Sequence, residues 1–154
     1  MPGYRTHLIG GAVVAVPMIC MLLSYAQSAT VVITWFVFAL AGSLFPDVDT
    51  KSKGQKWFYR IVLVLLLALL FQNKFRLFVI LALFSAIPLI VNHRGLFHRL
   101  WFVVLLPLAI TVAFSLYLPH YSQDATFAMI FFIAGTISHL ILDFGLGKAF
   151  RLRW

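Results

Sequence analysis

WFYRIVLVLLLALLFQNKFRLFVILALFSAIPLIV, residues 57–91, decides how many times this chain crosses a bilayer. Read without a break it is one apolar helix of 35 residues with Lys74 and Arg76 near its middle. Hydrocarbon would penalise each of those cations by roughly 2.5–3.5 kcal/mol. Broken at Gln72-Asn73-Lys74-Phe75-Arg76, the stretch becomes two spans, about 57–72 and 75–91, joined by a polar turn. Both spans are short, since 16 and 17 residues rising about 1.5 Å each cover only about 24–26 Å of a ~30 Å core. The hairpin is still the less costly arrangement.

Working outward from that hairpin, further apolar stretches run over about 7–26, 29–46, 98–118 and 125–144, making six in all. The 154-residue chain has a mean hydropathy of +1.02, is 63% hydrophobic and is only 10% charged. That composition excludes a soluble domain and predicts an all-α, polytopic transmembrane bundle formed by a single domain over 1–154. Ser24-Tyr25-Ala26 imitates a signal-peptide cleavage site, but another apolar run begins almost at once, so the first run is read as a retained span. Cys20, the only cysteine, lies in an apolar run and indicates neither a disulfide nor redox chemistry. Pro17, Pro88 and Pro107 fall inside predicted helices and are expected to kink them. Pro46 and Pro119 are expected to close the second and fifth helices, Gly54 to loosen a loop, and Gly95 to permit a sharp turn.

The net charge of +8 is read as topology rather than as affinity for nucleic acid, because the cations flank apolar segments instead of forming a stripe on a soluble surface. With six crossings, Arg5, Lys51, Lys53, Lys56, Arg60, Arg94, Arg99, Lys148, Arg151 and Arg153 gather on one side, and Lys74 and Arg76 on the other. The positive-inside rule makes the first side cytoplasmic, with both termini there. Such a face also attracts anionic lipid headgroups.

The same threading collects the chain's rare acids and imidazoles. There is no glutamate, yet three of the four acidic residues and four of the five histidines fall in short clusters. These are His7, Pro46-Asp47-Val48-Asp49, His93-Arg94-Gly95-Leu96-Phe97-His98 and Ser138-His139-Leu140-Ile141-Leu142-Asp143. Six crossings bring all of them to the cytoplasmic side, whereas five would strand some on the opposite face. His120 and Asp124 fall on the far side and are excluded.

His139 and Asp143, four apart in a helical run, share a face and suit one divalent cation. Asp47 and Asp49 follow a proline at a helix end, where extended backbone would send them to opposite sides. One would then ligate while the other bridges a second ion, orients a histidine or serves as a general base. His93 and His98 straddle a turn. Arg94, Arg99, Lys51 and Lys53 can neutralise an anionic substrate. Each cluster alone has an ordinary explanation: a hydrogen-bonded polar stripe for His139 and Asp143, turn chemistry for Pro46-Asp47, interfacial anchoring for His7 and the arginines. Together they are more specific, because ionisable groups at membrane depth are kept where they pair, bind ions or do work.

Imidazole with carboxylate suits zinc, manganese or iron(II), and seven candidate ligands point to two ions. An open metal site supplies activated water near neutral pH and stabilises charge in phosphoester cleavage.

On Thr6-His7-Leu8, Leu44-Phe45-Pro46-Asp47-Val48-Asp49, His93-Arg94-Gly95-Leu96-Phe97-His98 and Ser138-His139-Leu140-Ile141-Leu142-Asp143, the chain resembles the YdjM-like family of LexA-binding, inner-membrane metal-dependent hydrolases. The likeness covers nearly the whole chain. It implies metal-ligand roles for His7, Asp47, Asp49, His93, His98, His139 and Asp143. The family pattern reads His-Arg-Gly, an aromatic, then Thr-His-Ser. This chain has Leu96-Phe97 before His98 and Arg99 after it, which keeps the ligands and removes the flanking hydroxyls. The His/Asp pattern is also similar to that of zinc-dependent phospholipases C, and by that analogy the substrate is an anionic lipid or lipid-linked phosphate.

The reading that combines these points is a membrane hydrolase acting on a phosphoester at the cytoplasmic headgroup plane, with Asp47 and Asp49 as catalytic carboxylates. Two alternatives use the same residues: an ion- or proton-coupled transporter, and a structural module whose metal only pins helices together. Transporter sites lie near the bilayer midplane, often at broken helices, whereas these clusters fall at helix ends.

Overall fold

The computed structural model describes residues 3–90 and 96–145. The described residues form six α-helices and no strand: α1 (Tyr4–Leu22), α2 (Ala29–Leu44), α3 (Lys53–Phe71), α4 (Phe75–Ile90), α5 (Leu100–Tyr117) and α6 (Ser122–Phe144). The helical bundle and its six segments match the sequence expectation. Five helices, or helices extended by a 3-10 turn, are long and apolar enough to span a bilayer, and α4, at 16 residues, is a shorter apolar helix.

The bounds shift at informative places. α3 starts four residues earlier than expected and reaches 19 residues, about 28 Å at 1.5 Å per residue, so it is not a short span. The Ser52 hydroxyl accepts the Gln55 N–H at 3.1 Å and caps this earlier start. Gly54 therefore sits buried in the first turn of α3, and the loosened loop expected there is absent. Over Phe45–Asp49 the backbone is a 3-10 helix, so the extended conformation expected around Asp47 and Asp49 is not the one adopted. Pro17, Pro88 and Pro107 are accommodated inside α1, α4 and α5.

The chain divides into two compact units, Met1–Pro46 with His98–Trp154, and Asp47–Phe97. In the first unit α6 packs against α1, α2 and α5, and α1 packs against α2. Lipid tails are as apolar as leucine, so helices in a bilayer associate through close packing rather than through the hydrophobic effect. α2 and α6 meet backbone to backbone. A Cβ on Gly42 would collide with the Phe132 carbonyl, and one on Gly135 with the Ala39 carbonyl. Gly11 of α1 faces α2 less tightly, where an added Cβ would press on the Ser43 side chain. The buried apolar core of the unit is Ala15, Trp35, Ala39 and Phe131. The Trp35 ring stacks on Phe131 at 5.2 Å between centroids and tilts against Phe127 at 5.1 Å.

The second unit contains the hairpin on which the crossing number turns. Asn73 takes a left-handed conformation (φ 56°). Its N–H bonds the Leu70 carbonyl at 3.0 Å, while the Lys74 N–H bonds the Leu69 carbonyl at 2.9 Å. This pair of bonds is the Schellman stop. Asparagine tolerates the left-handed region better than other non-glycine residues, so the polar stretch ends α3 and α4 begins at Phe75. The two helices pack together, and the Tyr59 hydroxyl donates to the Ser85 carbonyl at 3.0 Å.

Candidate metal centre

Four helix ends of the first unit supply this centre: the start of α1, the end of α2, the turn before α5 and the end of α6. His7 sits in the first turns of α1, inside the helix rather than ahead of it. His98 closes a 3-10 turn over Leu96–His98. His139 and Asp143 are one turn apart on α6, as their spacing predicts.

The three imidazoles converge on one carboxylate. His7 Nε2 lies 3.5 Å from Asp143 Oδ1, His139 Nε2 lies 3.5 Å from Asp143 Oδ2, and His98 Nε2 lies 4.0 Å from Asp143 Oδ2. The His7 and His139 rings stack with centroids 3.8 Å apart and planes inclined by 19°. Side-chain exposure is 2% for His7, 3% for His98, 0% for His139 and 5% for Asp143. Water therefore screens little of the charge the cluster carries.

Backbone contacts orient His139. Its Nδ1 lies 2.7 Å from the Ser43 carbonyl oxygen. A carbonyl only accepts, so Nδ1 carries the hydrogen, and in the neutral ring Nε2 holds the lone pair. That lone pair faces Asp143 Oδ2, itself an acceptor. Two acceptors at that range repel unless a proton or a cation lies between them.

A divalent ion suits this donor set. Nitrogen and oxygen ligands at about 2.1 Å from a tetrahedral zinc lie about 3.4 Å from one another, close to the two 3.5 Å separations observed. Ligand atoms of His7, His139 and Asp143 all fall within 4.8 Å of one another. The described residues thus include His and Asp groups able to hold a metal.

Other candidate residues are placed as follows. His93 and Arg94 lie outside the described residues. Arg99 is exposed at the N-terminal boundary of α5, directly after His98. Asp47 and Asp49 belong to the second unit, where the Asp47 carbonyl accepts the Thr50 and Ser52 hydroxyls at 3.0 and 2.9 Å. Lys51 and Lys53 are exposed at the start of α3. On the same helix the Arg60 guanidinium lies 5.4 Å from the Trp57 ring centroid. His120 and Asp124 sit at the opposite end of α5 and α6 from Asp143, in line with their exclusion.

Sequence reasoning missed four residues behind this centre: Ser43, whose carbonyl meets His139, and Gly42, Gly135 and Thr136, which hold that turn of α2 against α6. The Thr136 hydroxyl donates to the Gly42 carbonyl at 3.1 Å, alongside its bond to Phe132. Thr136 and His139 are three apart on α6 and together occupy carbonyls at the C-terminal end of α2. Their sequence signal is faint, a threonine in helical register with His139 and Asp143.

No curated protein and no solved structure matches this chain. The family model described as YdjM inner membrane protein matches residues 1–154, and the chain belongs to that family.

Proposed function

We propose that this multi-pass inner membrane protein is a metal-dependent hydrolase that cleaves a phosphoester of a lipid or lipid-linked substrate at the cytoplasmic headgroup plane. The observation that carries the reading is the dry cluster of His7, His98 and His139 around Asp143, in which the His139 lone pair faces a carboxylate oxygen. Zinc fits this donor set best, with manganese or iron(II) as substitutes. His93, Asp47 and Asp49 are assigned as the remaining ligands of a two-ion site.

A bound divalent ion would supply Lewis acidity towards a phosphoryl oxygen and activated water at neutral pH. The protein's own groups do the rest. Asp49 is assigned as the general base for the attacking water or as the ligand that bridges two ions, and Asp47 as the second catalytic carboxylate. Arg94, Arg99, Lys51 and Lys53 attract and neutralise the headgroup phosphate. The low exposure of the four clustered side chains keeps competing solvent away from the reacting centre. Both termini are assigned to the cytoplasm by the distribution of basic residues.

The test uses purified protein in lipid nanodiscs, with metal content from elemental analysis and turnover measured on phosphatidyl and polyprenyl phosphate esters. Wild-type protein should carry zinc and hydrolyse one of these classes. Asp143→Ala should lower turnover at least about 100-fold, since even loss of an outer-shell partner costs 10–100-fold in such sites. Full turnover by Asp143→Ala would overturn the assignment. Chelation that melts the bundle in a protein active on none of these esters would instead identify the metal as a structural pin.

A further inference from the structure

Thr136 and His139 of α6 reach the C-terminal turn of α2, where the carbonyls of a helix lack partners within the helix. Gly42 O accepts the Thr136 hydroxyl at 3.1 Å, and Ser43 O is 2.7 Å from His139 Nδ1. The Ser43 hydroxyl does not compete, because it donates to Leu40 O at 2.8 Å. The Ser43 carbonyl can come this near the imidazole because α2 and α6 touch backbone to backbone at Gly42 and Gly135. Ser43, Thr136 and His139 are fully buried, so water cannot stand in for either bond.

We infer that the Gly42–Gly135 contact is a positioning device: it presses the Ser43 carbonyl onto His139 Nδ1 and thereby holds the ring in the tautomer whose Nε2 lone pair points at Asp143. A histidine that ligates through one nitrogen usually donates from the other, and that donation fixes both ring orientation and tautomer. Here the donor's partner is a main-chain atom. Its place is set by two residues that lack a side chain rather than by any side chain at the centre. Thr136 secures the same turn from one helical step away.

This inference rests on the reading of the cluster as a metal centre, but its first readout needs no metal. Metal-free protein labelled with 15N-histidine in nanodiscs should show His139, in its neutral form, with the hydrogen on Nδ1 and a pyridine-type Nε2. Gly135→Ala forces a methyl group against the Ala39 carbonyl and should shift that ring towards the other tautomer or into exchange between the two. Zinc affinity, measured by competition with a fluorescent chelator, should fall by about 10–100-fold.

Should Gly135→Ala not fold, Thr136→Val leaves the glycine contact untouched and removes the hydroxyl bond to Gly42, along with the local one to Phe132 O. It should move the same two readouts in the same direction, and Thr136→Ser should restore them. A wild-type His139 with its hydrogen on Nε2 overturns the inference, as does a folded Gly135→Ala or Thr136→Val protein with unchanged tautomer and affinity. Wild-type protein with the expected tautomer but no affinity for zinc would leave the positioning intact and sink the metal-centre reading. Zinc binding with the opposite tautomer would do the reverse.

Discussion

Asp143 shows how far a single side chain can organise a membrane protein that has almost no others of its kind. Its two oxygens face three imidazoles from three separate stretches of chain. Trp35 is a contrasting residue. Its ring is buried in the aromatic stack, and its indole N–H has no hydrogen-bond partner among the described residues. Trp35→Phe keeps most of the packing area and removes an unsatisfied donor, and those two effects oppose each other. The thermal midpoint in detergent should therefore move little, by less than about 1 kcal/mol, while Trp35→Ala should cost about 3–5 kcal/mol. Equal large losses in both variants would show that the N–H is engaged after all. At this scale the sequence was legible where chemistry is rare: in a chain without glutamate, His7, His98, His139 and Asp143 could be chosen by type and parity alone. Ser43 could not be chosen, because its contribution is a backbone oxygen, which every residue has.

Elements were read from the sequence with the same mixture of success and error, and the hairpin between α3 and α4 shows both. Two cations within an apolar run forced a break, and Asn73 supplies it by adopting a left-handed conformation. Glycine also fits that geometry and a β-branched residue does not. Asn73→Gly should therefore leave thermal stability near wild type, while Asn73→Val should lower it by about 1–2 kcal/mol. Indistinguishable melting curves would mean that the helix stop has another origin. The early start of α3 was missed although Ser52-Lys53-Gly54-Gln55 carries the serine and glutamine of a capping box. Gly54 between them reads as a helix breaker, yet it is tolerated in the first turn of α3. The 3-10 turn at Asp47 was missed for a related reason: proline closes α2 in either conformation, and local sequence does not decide between them.

At the scale of the whole molecule, the described ends of the first unit bear on topology. α1 starts and α2 ends beside Asp143, and α5 starts there as well, so the chain between Pro46 and His98 leaves that end and comes back to it. This return agrees with an even number of crossings. The orientation can be tested with cysteine labelling, since Cys20 is the only native thiol. In a Cys20→Ser background, Asn73→Cys should react with an impermeant maleimide added outside spheroplasts, and Lys51→Cys should react only after lysis. Labelling of Lys51→Cys from outside would overturn the assigned orientation.

The close contact of α2 with α6 has a further consequence for biosynthesis. The carbonyls of Gly42 and Ser43 enter the bilayer early, yet the threonine and histidine that satisfy them belong to a helix translated after five others. A nascent chain stopped before that helix holds a half-built pocket with bare oxygens where ligands should be oriented. On the metal-centre reading, ion capture waits for insertion of the sixth helix, so the order of translation itself guards against premature loading.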